Sequence, residues 1–131
     1  MTGIDTNVLV RFFAKDDPAQ SPKAKTFLGS LTEDNPGWVG MASLLELVWV
    51  MGKPMHTGRD GIVHILEILL HSATIEVEQA STVADAVKEY RKGRADFADC
   101  LIAASARAAG CGRTVTFDHV AARDAGMELL A

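Results

Sequence analysis

The amino-acid sequence predicts an α/β fold in which helices flank both faces of a central, mostly parallel sheet. Short runs rich in β-branched residues alternate along the chain with longer runs in which apolar residues recur at helical spacing. Strands that are separated by helices pair in parallel, and the crossover helices then cover the sheet. The chain has 131 residues, 48% of them hydrophobic, so we expect a single domain spanning residues 1–131.

The first half of the chain is predicted to contain two strands and three helices. Capping residues indicate where helices begin, and Pro and Gly indicate where they end. In chain order we predict a strand at 2–4, a helix capped by Asp5 that ends near Pro18, a helix capped by Ser21 that runs to about Leu31, a turn at 35–37, a strand at 38–41 and a helix that follows a capping box at 43–46. The capping box would place Glu46 in the first turn of its helix.

The second half is predicted to contain four helices and three strands. A loop at 52–61 with Pro54 and Gly58 separates it from the first half. In chain order we predict a helix around 62–70, a strand at 74–77, a helix capped by Ser81 or Thr82 that ends before Gly93, a helix from Asp96 to Ala109 that Gly110 terminates, a strand at 114–117, a short helix at 119–125 and a strand at 127–130.

Composition argues against several classes of protein. The start MTGIDTNVLV lacks the features of a secretory signal, and no stretch approaches the roughly 18 apolar residues of a membrane helix. We therefore expect a soluble, cytoplasmic protein. Cys100 and Cys111 lack histidines at ligand spacing, so we expect two buried apolar residues in place of a disulfide framework or a zinc site.

The net charge of −4 is unusual for a protein that binds nucleic acid, because such proteins usually carry an excess of Lys and Arg. Five acids, however, are candidates for one site. The other 12 acids are then matched by 13 Lys and Arg, so the remaining surface is about neutral. A nucleic-acid partner is therefore compatible with the composition.

These five acids lie where strands end or helices begin. Asp5 and Asp118 follow predicted strands, while Glu46 and the pair Asp96 and Asp99 begin predicted helices. In an open α/β sheet both positions fall at the carboxyl edge, so we expect the acids to meet there. Clustered carboxylates need a neutralising cation. Oxygen ligands without His or Cys favour Mg²⁺ or Mn²⁺ over zinc.

A structural alternative exists for each acid taken singly. Asp5 and Asp118 could cap the helices that follow them, Glu46 could complete a capping box, and Asp96 with Asp99 could cap a third helix. The chain would then be a non-catalytic interaction module. A phosphohydrolase of the haloacid dehalogenase type is a poorer match, because it needs a second aspartate where Asn7 stands.

Four segments together extend over nearly the whole chain: IDTNVLVRFF, SLLELVWV, ADFADCLIAASARAAGC and TVTFDHVAARDAGMELL. In order and spacing they resemble the PIN-domain nucleases, and more closely the VapC-type toxins of toxin–antitoxin pairs. The combination of D-T-N after the first strand, D-x-L-I-A-A opening a helix and T-F-D closing a late strand is specific, although each motif alone is weak.

The resemblance implies a Mg²⁺- or Mn²⁺-dependent endoribonuclease that inhibits translation and growth. The four acids of the family correspond to Asp5, Glu46, Asp99 and Asp118, of which Asp5, Asp99 and Asp118 would hold metal. Asp96 corresponds to an additional acid found in part of the family, and we expect it to contact the metal through water. Two hydroxyl residues, Thr6 and Thr116, correspond to supporting positions beside the first and fourth acids.

The resemblance also implies three partners: a cognate antitoxin that covers the acidic site, a second copy of the chain in a homodimer, and an RNA substrate, with tRNA or rRNA expected. An apolar segment with Leu44, Val48, Trp49 and Met51 could form the partner groove. The alternative is that these residues belong to the core.

Overall fold

The computed structural model of the chain describes residues 1–130 and confirms the α/β fold class. The chain divides into two compact units, Met1–Glu78 (unit 1) and Gln79–Ala131 (unit 2). Each unit contains its own parallel strands and its own buried residues. The expectation of one domain over residues 1–131 stays a prediction.

Unit 1 is built on a three-stranded parallel sheet with the order β1-β2-β3. The strands are β1 (Thr2–Gly3), β2 (Gly37–Val39) and β3 (Ile75–Val77). In register, Gly3 pairs with Trp38, and Trp38 pairs with Glu76. Beyond the paired residues, Ile4 N donates to Trp38 O at 2.9 Å. The central strand β2 therefore fixes the backbone of β1 up to the residue before Asp5.

Four helices accompany this sheet: α1 (Thr6–Ala14), α2 (Gln20–Gly29), α3 (Met41–Gly52) and α4 (Arg59–His71). Helix α1 packs against α2 and α3, and α4 packs against α3 and β3. The core consists of leucines and other aliphatic side chains, of which Leu9, Leu44, Leu47, Leu66 and Leu69 are almost completely buried. Their recurrence at intervals of three or four residues explains why these segments form amphipathic helices.

Unit 2 combines two packed helices with a small parallel sheet. Its elements are α5 (Ala80–Lys92), α6 (Phe97–Ala108), β4 (Val115–Thr116), α7 (His119–Asp124) and β5 (Glu128–Leu129). Helices α5 and α6 pack along each other, and the rings of Tyr90 and Phe97 meet edge to face with centroids 5.7 Å apart. Strand β4 pairs with β5, and α7 connects them.

The predicted start of α2 is wrong. The helix begins at Gln20, and the carboxylate of Asp17 accepts from Ala19 N at 2.9 Å and from Gln20 N at 2.7 Å. The Ser21 hydroxyl instead donates to the backbone oxygen of Arg11 at 2.7 Å. A charged acceptor makes stronger hydrogen bonds than a hydroxyl, which explains why Asp17 replaces Ser21 at this helix start.

The predicted capping box before α3 is also wrong. Helix α3 begins at Met41 after Gly40, so Glu46 lies in the second turn. Met41 N donates to Oε1 of Glu78 at 2.8 Å, which means that a carboxylate from the end of β3 caps this helix. Gly37, predicted in a turn, instead begins β2.

Two other boundaries differ from the predictions. Helix α5 begins after Gln79, whose φ of 53° is left-handed, and neither Ser81 nor Thr82 is its cap. Helix α4 already begins at Arg59, so the loop before it is shorter than the predicted 52–61. The remaining predicted helices and strands are confirmed, with ends that shift by a few residues.

Burial corrects one further expectation and divides another. Cys100 is buried as expected, but Cys111 is exposed because α6 ends at Ala108. Leu44 and Met51 belong to the core, whereas Trp49 is 61% exposed, so the partner groove stays a prediction for the exposed part of this segment. Within residues 1–130, no helix has the length and apolar character needed to cross a membrane.

Candidate functional site

Asp5 occupies the connection between β1 and α1. It is the N-cap of α1, and its Oδ1 accepts from Thr6 N at 2.7 Å. Among residues 1–130, its Oδ2 accepts no hydrogen bond, and the side chain is exposed. Capping therefore uses one carboxylate oxygen and leaves the other available to a ligand.

Thr6 links the start of α1 to the start of α3. Its side chain is 5% exposed, and its Oγ1 donates to the backbone oxygen of Ser43 at 3.5 Å. Ser43 lies one turn before Glu46 on α3. The contact therefore joins α1, which begins after Asp5, to the part of α3 that carries Glu46. Thr6 thus has a structural role, and its expected supporting role beside the first acid stays a prediction.

Glu46 projects from the second turn of α3 and is exposed. It makes no hydrogen bond or ion pair among the described residues, and it does not cap its own helix. The structural alternative that the sequence suggested for this residue is therefore removed. Its carboxylate can accept a proton or a hydrogen bond from a bound molecule.

The acidic residues of unit 2 surround the start of α6. Asp96 is the N-cap of this helix, and its Oδ1 accepts from Asp99 N at 2.9 Å. Burial raises the pKa of Asp99, and three further influences act in the same direction: the charge of Asp96, the charge of Asp118, and a hydrogen bond between the Asp96 and Asp99 side chains. The charges of Asp96 and Asp118 thus both act on Asp99, and we call these three residues the unit 2 acid group.

Asp118 is held by hydrogen bonds on both sides of its backbone position. Its Oδ1 accepts from Val120 N at 2.8 Å and from Ala121 N at 3.1 Å, which caps α7. Its own N donates to Oγ1 of Thr116 at 3.0 Å. Thr116 therefore fixes the backbone of Asp118, and one carboxylate oxygen of Asp118 remains available, as it does in Asp5.

The donor set matches the ligands that Mg²⁺ and Mn²⁺ prefer, since it consists of carboxylate oxygens without His or Cys. Burial raises the pKa of Asp99 most, and the charges of Asp96 and Asp118 add to the shift; a cation would neutralise that negative charge. Across residues 1–130, no three His, Cys, Asp or Glu side chains are spaced to hold a metal ion in their present positions. Binding a metal therefore requires these carboxylates to turn toward it.

The structure thus brings together Asp96, Asp99 and Asp118 in unit 2. In unit 1, Asp5 lies directly before α1 and Glu46 lies on α3. Helices α1 and α3 pack together. The expectation that all five acids gather in one place stays a prediction.

Sequence reasoning missed a cavity beside Asp5. It has a volume of about 520 Å³ and is lined by β1, α1 and α2. Its walls contain Thr2, Gly3, Ile4, Asp5, Asn7, Val8, Arg11, Gln20, Lys23, Ala24 and Phe27. The composition of α2, which has two lysines and no acid, was a signal that could have drawn attention to this surface.

Comparison with known proteins gives two matches. A family model described as "PIN domain" matches residues 4–126 of the chain. A VapC ribonuclease from Aquifex aeolicus (strain VF5) is 25% identical over 114 residues, which are 87% of this chain and 84% of that protein.

Proposed function

This chain belongs to the PIN-domain family, and from that premise we propose that it is a metal-dependent endoribonuclease that acts as the toxin of a toxin–antitoxin pair. The match to a VapC ribonuclease over 87% of the chain supports this activity. The observation that carries the proposal is the unit 2 acid group, in which Asp99 has a raised pKa beside Asp96 and Asp118. Such a group costs stability and is expected where a cation binds.

We assign the metal to Asp5, Asp99 and Asp118, with Mg²⁺ or Mn²⁺ as the ion. When bound, the ion offsets negative charge on a phosphate and increases the acidity of water. Asp5 and Asp118 each offer a carboxylate oxygen that capping leaves unused, and Asp99 offers a carboxylate whose charge is poorly compensated. Asp96 orders the start of α6 and would contribute to holding the metal through a bound water.

Glu46 orients the attacking water and accepts its proton. Its exposed side chain is unpaired, so the carboxylate is free to take this position. The water oxygen forms a new bond to phosphorus while the bond between phosphorus and the 3′-oxygen breaks. The 3′-oxygen takes up a proton from solvent water, so the products carry a 5′-phosphate and a 3′-hydroxyl.

The test is cleavage of total cellular RNA by the purified protein with Mg²⁺ or Mn²⁺. Discrete fragments that disappear with chelator and with the Asp99→Asn variant would support the nuclease. No cleavage by folded, antitoxin-free protein would favour the non-catalytic interaction module. Mapping the fragments would also show whether tRNA or rRNA is the substrate.

The toxin assignment further proposes a homodimer and a cognate antitoxin that covers the acids. Trp49, 61% exposed on α3, is available for a protein contact. Light scattering with chromatography would report the mass of the free protein, and a lone monomer at high concentration would contradict the dimer. Inhibition of cleavage by the protein encoded beside this one would support the antitoxin.

A further inference from the structure

We propose that the cavity formed by β1, α1 and α2 binds one nucleotide of the RNA substrate next to the bond that is cleaved. The inference rests on the proposed ribonuclease function and adds to it a binding site for part of the substrate. We call this space the α1–α2 cavity. Asp5 belongs to its wall, so a nucleotide bound there lies beside a carboxylate assigned to the reaction.

The size and the apolar walls of the α1–α2 cavity suit a nucleobase. A volume of about 520 Å³ falls in the range of small-molecule sites, which is roughly 300–1,000 Å³. Ile4, Val8 and Ala24 provide aliphatic wall, and Phe27 provides a half-buried aromatic ring. Unpaired bases are commonly held between aromatic and apolar side chains in this way.

Two amide side chains can hydrogen-bond the edge of a base in this cavity. Gln20 accepts from Arg11 Nε at 2.7 Å through its Oε1, which orients the amide and leaves its NH₂ group to donate to a ligand. Arg11 is held in turn by Asp16, with two contacts of 3.2 Å. Asn7, the second amide, lies one turn before Arg11 and is exposed.

Lys23 supplies the positive charge that a phosphate requires. The Arg11 charge is paired with Asp16, whereas Lys23 makes no ion pair among residues 1–130. Helix α2 also contains Lys25 but no acid. An unpaired ammonium beside apolar walls favours a ligand with both a ring and an anionic group, which describes a nucleotide better than an apolar peptide segment.

Lys25 provides a matched control for Lys23. It lies two residues further along α2, is exposed, and does not line the cavity. Replacing either lysine by glutamine removes the same charge from the same helix. A difference between the two variants therefore reports the cavity and not the general attraction between the protein and RNA.

The first experiment is an NMR titration of the Asp99→Asn protein with each of the four ribonucleoside 5′-monophosphates. We expect methyl shifts concentrated at Ile4, Val8 and Ala24. Lys23→Gln should weaken nucleotide binding by about two- to fivefold, as for an exposed charge pair, and Lys25→Gln should leave it unchanged. Phe27→Leu should weaken binding by about fivefold or more if the ring stacks on the base.

The second experiment measures binding of single-stranded RNA to the same protein at several salt concentrations. Loss of one phosphate contact should reduce the slope of log K against log salt by about 0.7 in Lys23→Gln. Equal slopes for Lys23→Gln and Lys25→Gln would overturn the inference. So would methyl shifts that appear with an apolar peptide but with none of the nucleotides.

The wild-type cleavage assay separates this inference from the proposed function. If the wild-type protein cleaves RNA and the two lysine variants are indistinguishable, the nucleotide site is wrong and the ribonuclease stands. If the folded wild-type protein cleaves no RNA under any metal condition, the ribonuclease itself is wrong.

Discussion

Single residues in this protein combine structural and chemical roles that the sequence presents as alternatives. Asp5 and Asp118 are both helix caps, yet each uses only Oδ1 for capping. Capping orients the second oxygen, so the structural role prepares the residue for ligand binding. The positions of Asp5, Asp96 and Asp118 as caps were predictable from the sequence because capping depends on neighbours one to three residues away.

Thr116 should affect catalysis through Asp118, because its Oγ1 accepts from the Asp118 amide. We expect Thr116→Val to reduce the cleavage rate by about 10- to 100-fold, as for other groups that orient a metal ligand. The Mg²⁺ concentration needed for half-maximal rate should rise, and Thr116→Ser should restore both values. Thr114→Val is the control, since the Thr114 side chain makes no hydrogen bond among the described residues. Equal losses in both variants would contradict this role.

Asp99→Asn should abolish cleavage and stabilise the metal-free protein. Loss of a metal ligand should lower the rate by at least about 100-fold. The pKa of Asp99 is raised by burial and by repulsion from Asp96 and Asp118, so the charged form is unfavourable in the folded state. The neutral amide removes that cost, and the melting temperature in chelator should increase.

The pH dependence of this stabilisation follows from the raised pKa. Between the ordinary value of 3.8 and the higher folded value, the folded protein binds more protons than the unfolded chain, so the wild type loses stability as pH rises. The gap in melting temperature between Asp99→Asn and the wild type should therefore widen as pH rises through this window and then remain constant. Thermal unfolding in chelator measures the gap, and Mg²⁺ should narrow it by stabilising the wild type. A gap that closes as pH rises would contradict the assignment.

Elements were predicted well where their signals are local and poorly where their contacts are distant. The starts of α1, α6 and α7 were correct because each is capped by the residue directly before it. The start of α3 was wrong because its capping carboxylate, Glu78, is 37 residues away in the chain. The α1–α2 cavity was missed for the same reason, since two helices and a strand must pack before its walls meet.

Gly37 at the start of β2 should tolerate no side chain. A Cβ there would lie 2.6 Å from Ile4 Cδ1 and 2.9 Å from Leu31 Cδ1, and both of these side chains are buried. Gly37→Ala should reduce the free energy of unfolding by about 1–3 kcal/mol through overpacking. Gly29→Ala, at the end of α2 where a Cβ meets nothing within 4 Å, should instead stabilise by about 0.5–1 kcal/mol. Urea unfolding compares the two variants, and a neutral Gly37→Ala would contradict the tight packing.

The Asp17 carboxylate at the start of α2 should make the stability of the protein depend on pH. Hydrogen bonds from Gln20 N and Ala19 N lower the pKa of Asp17, assisted by the charge of Arg11. The stabilisation is therefore fully present above the ordinary value of 3.8 and is lost as pH falls through the lower folded value. Asp17→Ala should lower the melting temperature at pH 7, with a smaller deficit below pH 3.8. The melting temperature of Asp17→Asn, which keeps a hydrogen-bond acceptor, should lie between those of Asp17→Ala and the wild type. A deficit in melting temperature that does not depend on pH would contradict the role of the Asp17 charge.

At the scale of the whole molecule, the two compact units unfold either together or separately. Both tryptophans, Trp38 and Trp49, lie in unit 1, so their fluorescence reports that unit. Amide exchange in α6 reports unit 2. If residues 1–131 form one domain, both probes should give the same urea midpoint. Separate midpoints would show that the units unfold independently.

The carboxylate of Glu78 also determines when the start of α3 can be capped as the chain emerges during synthesis. On the ribosome, the helix that carries Glu46 emerges with its first amide unpaired, and the acceptor for that amide arrives only when residue 78 has left the exit tunnel. Asp99 and Asp118 emerge later still. A nascent chain therefore contains all of the assigned acids only after residue 118 has been added.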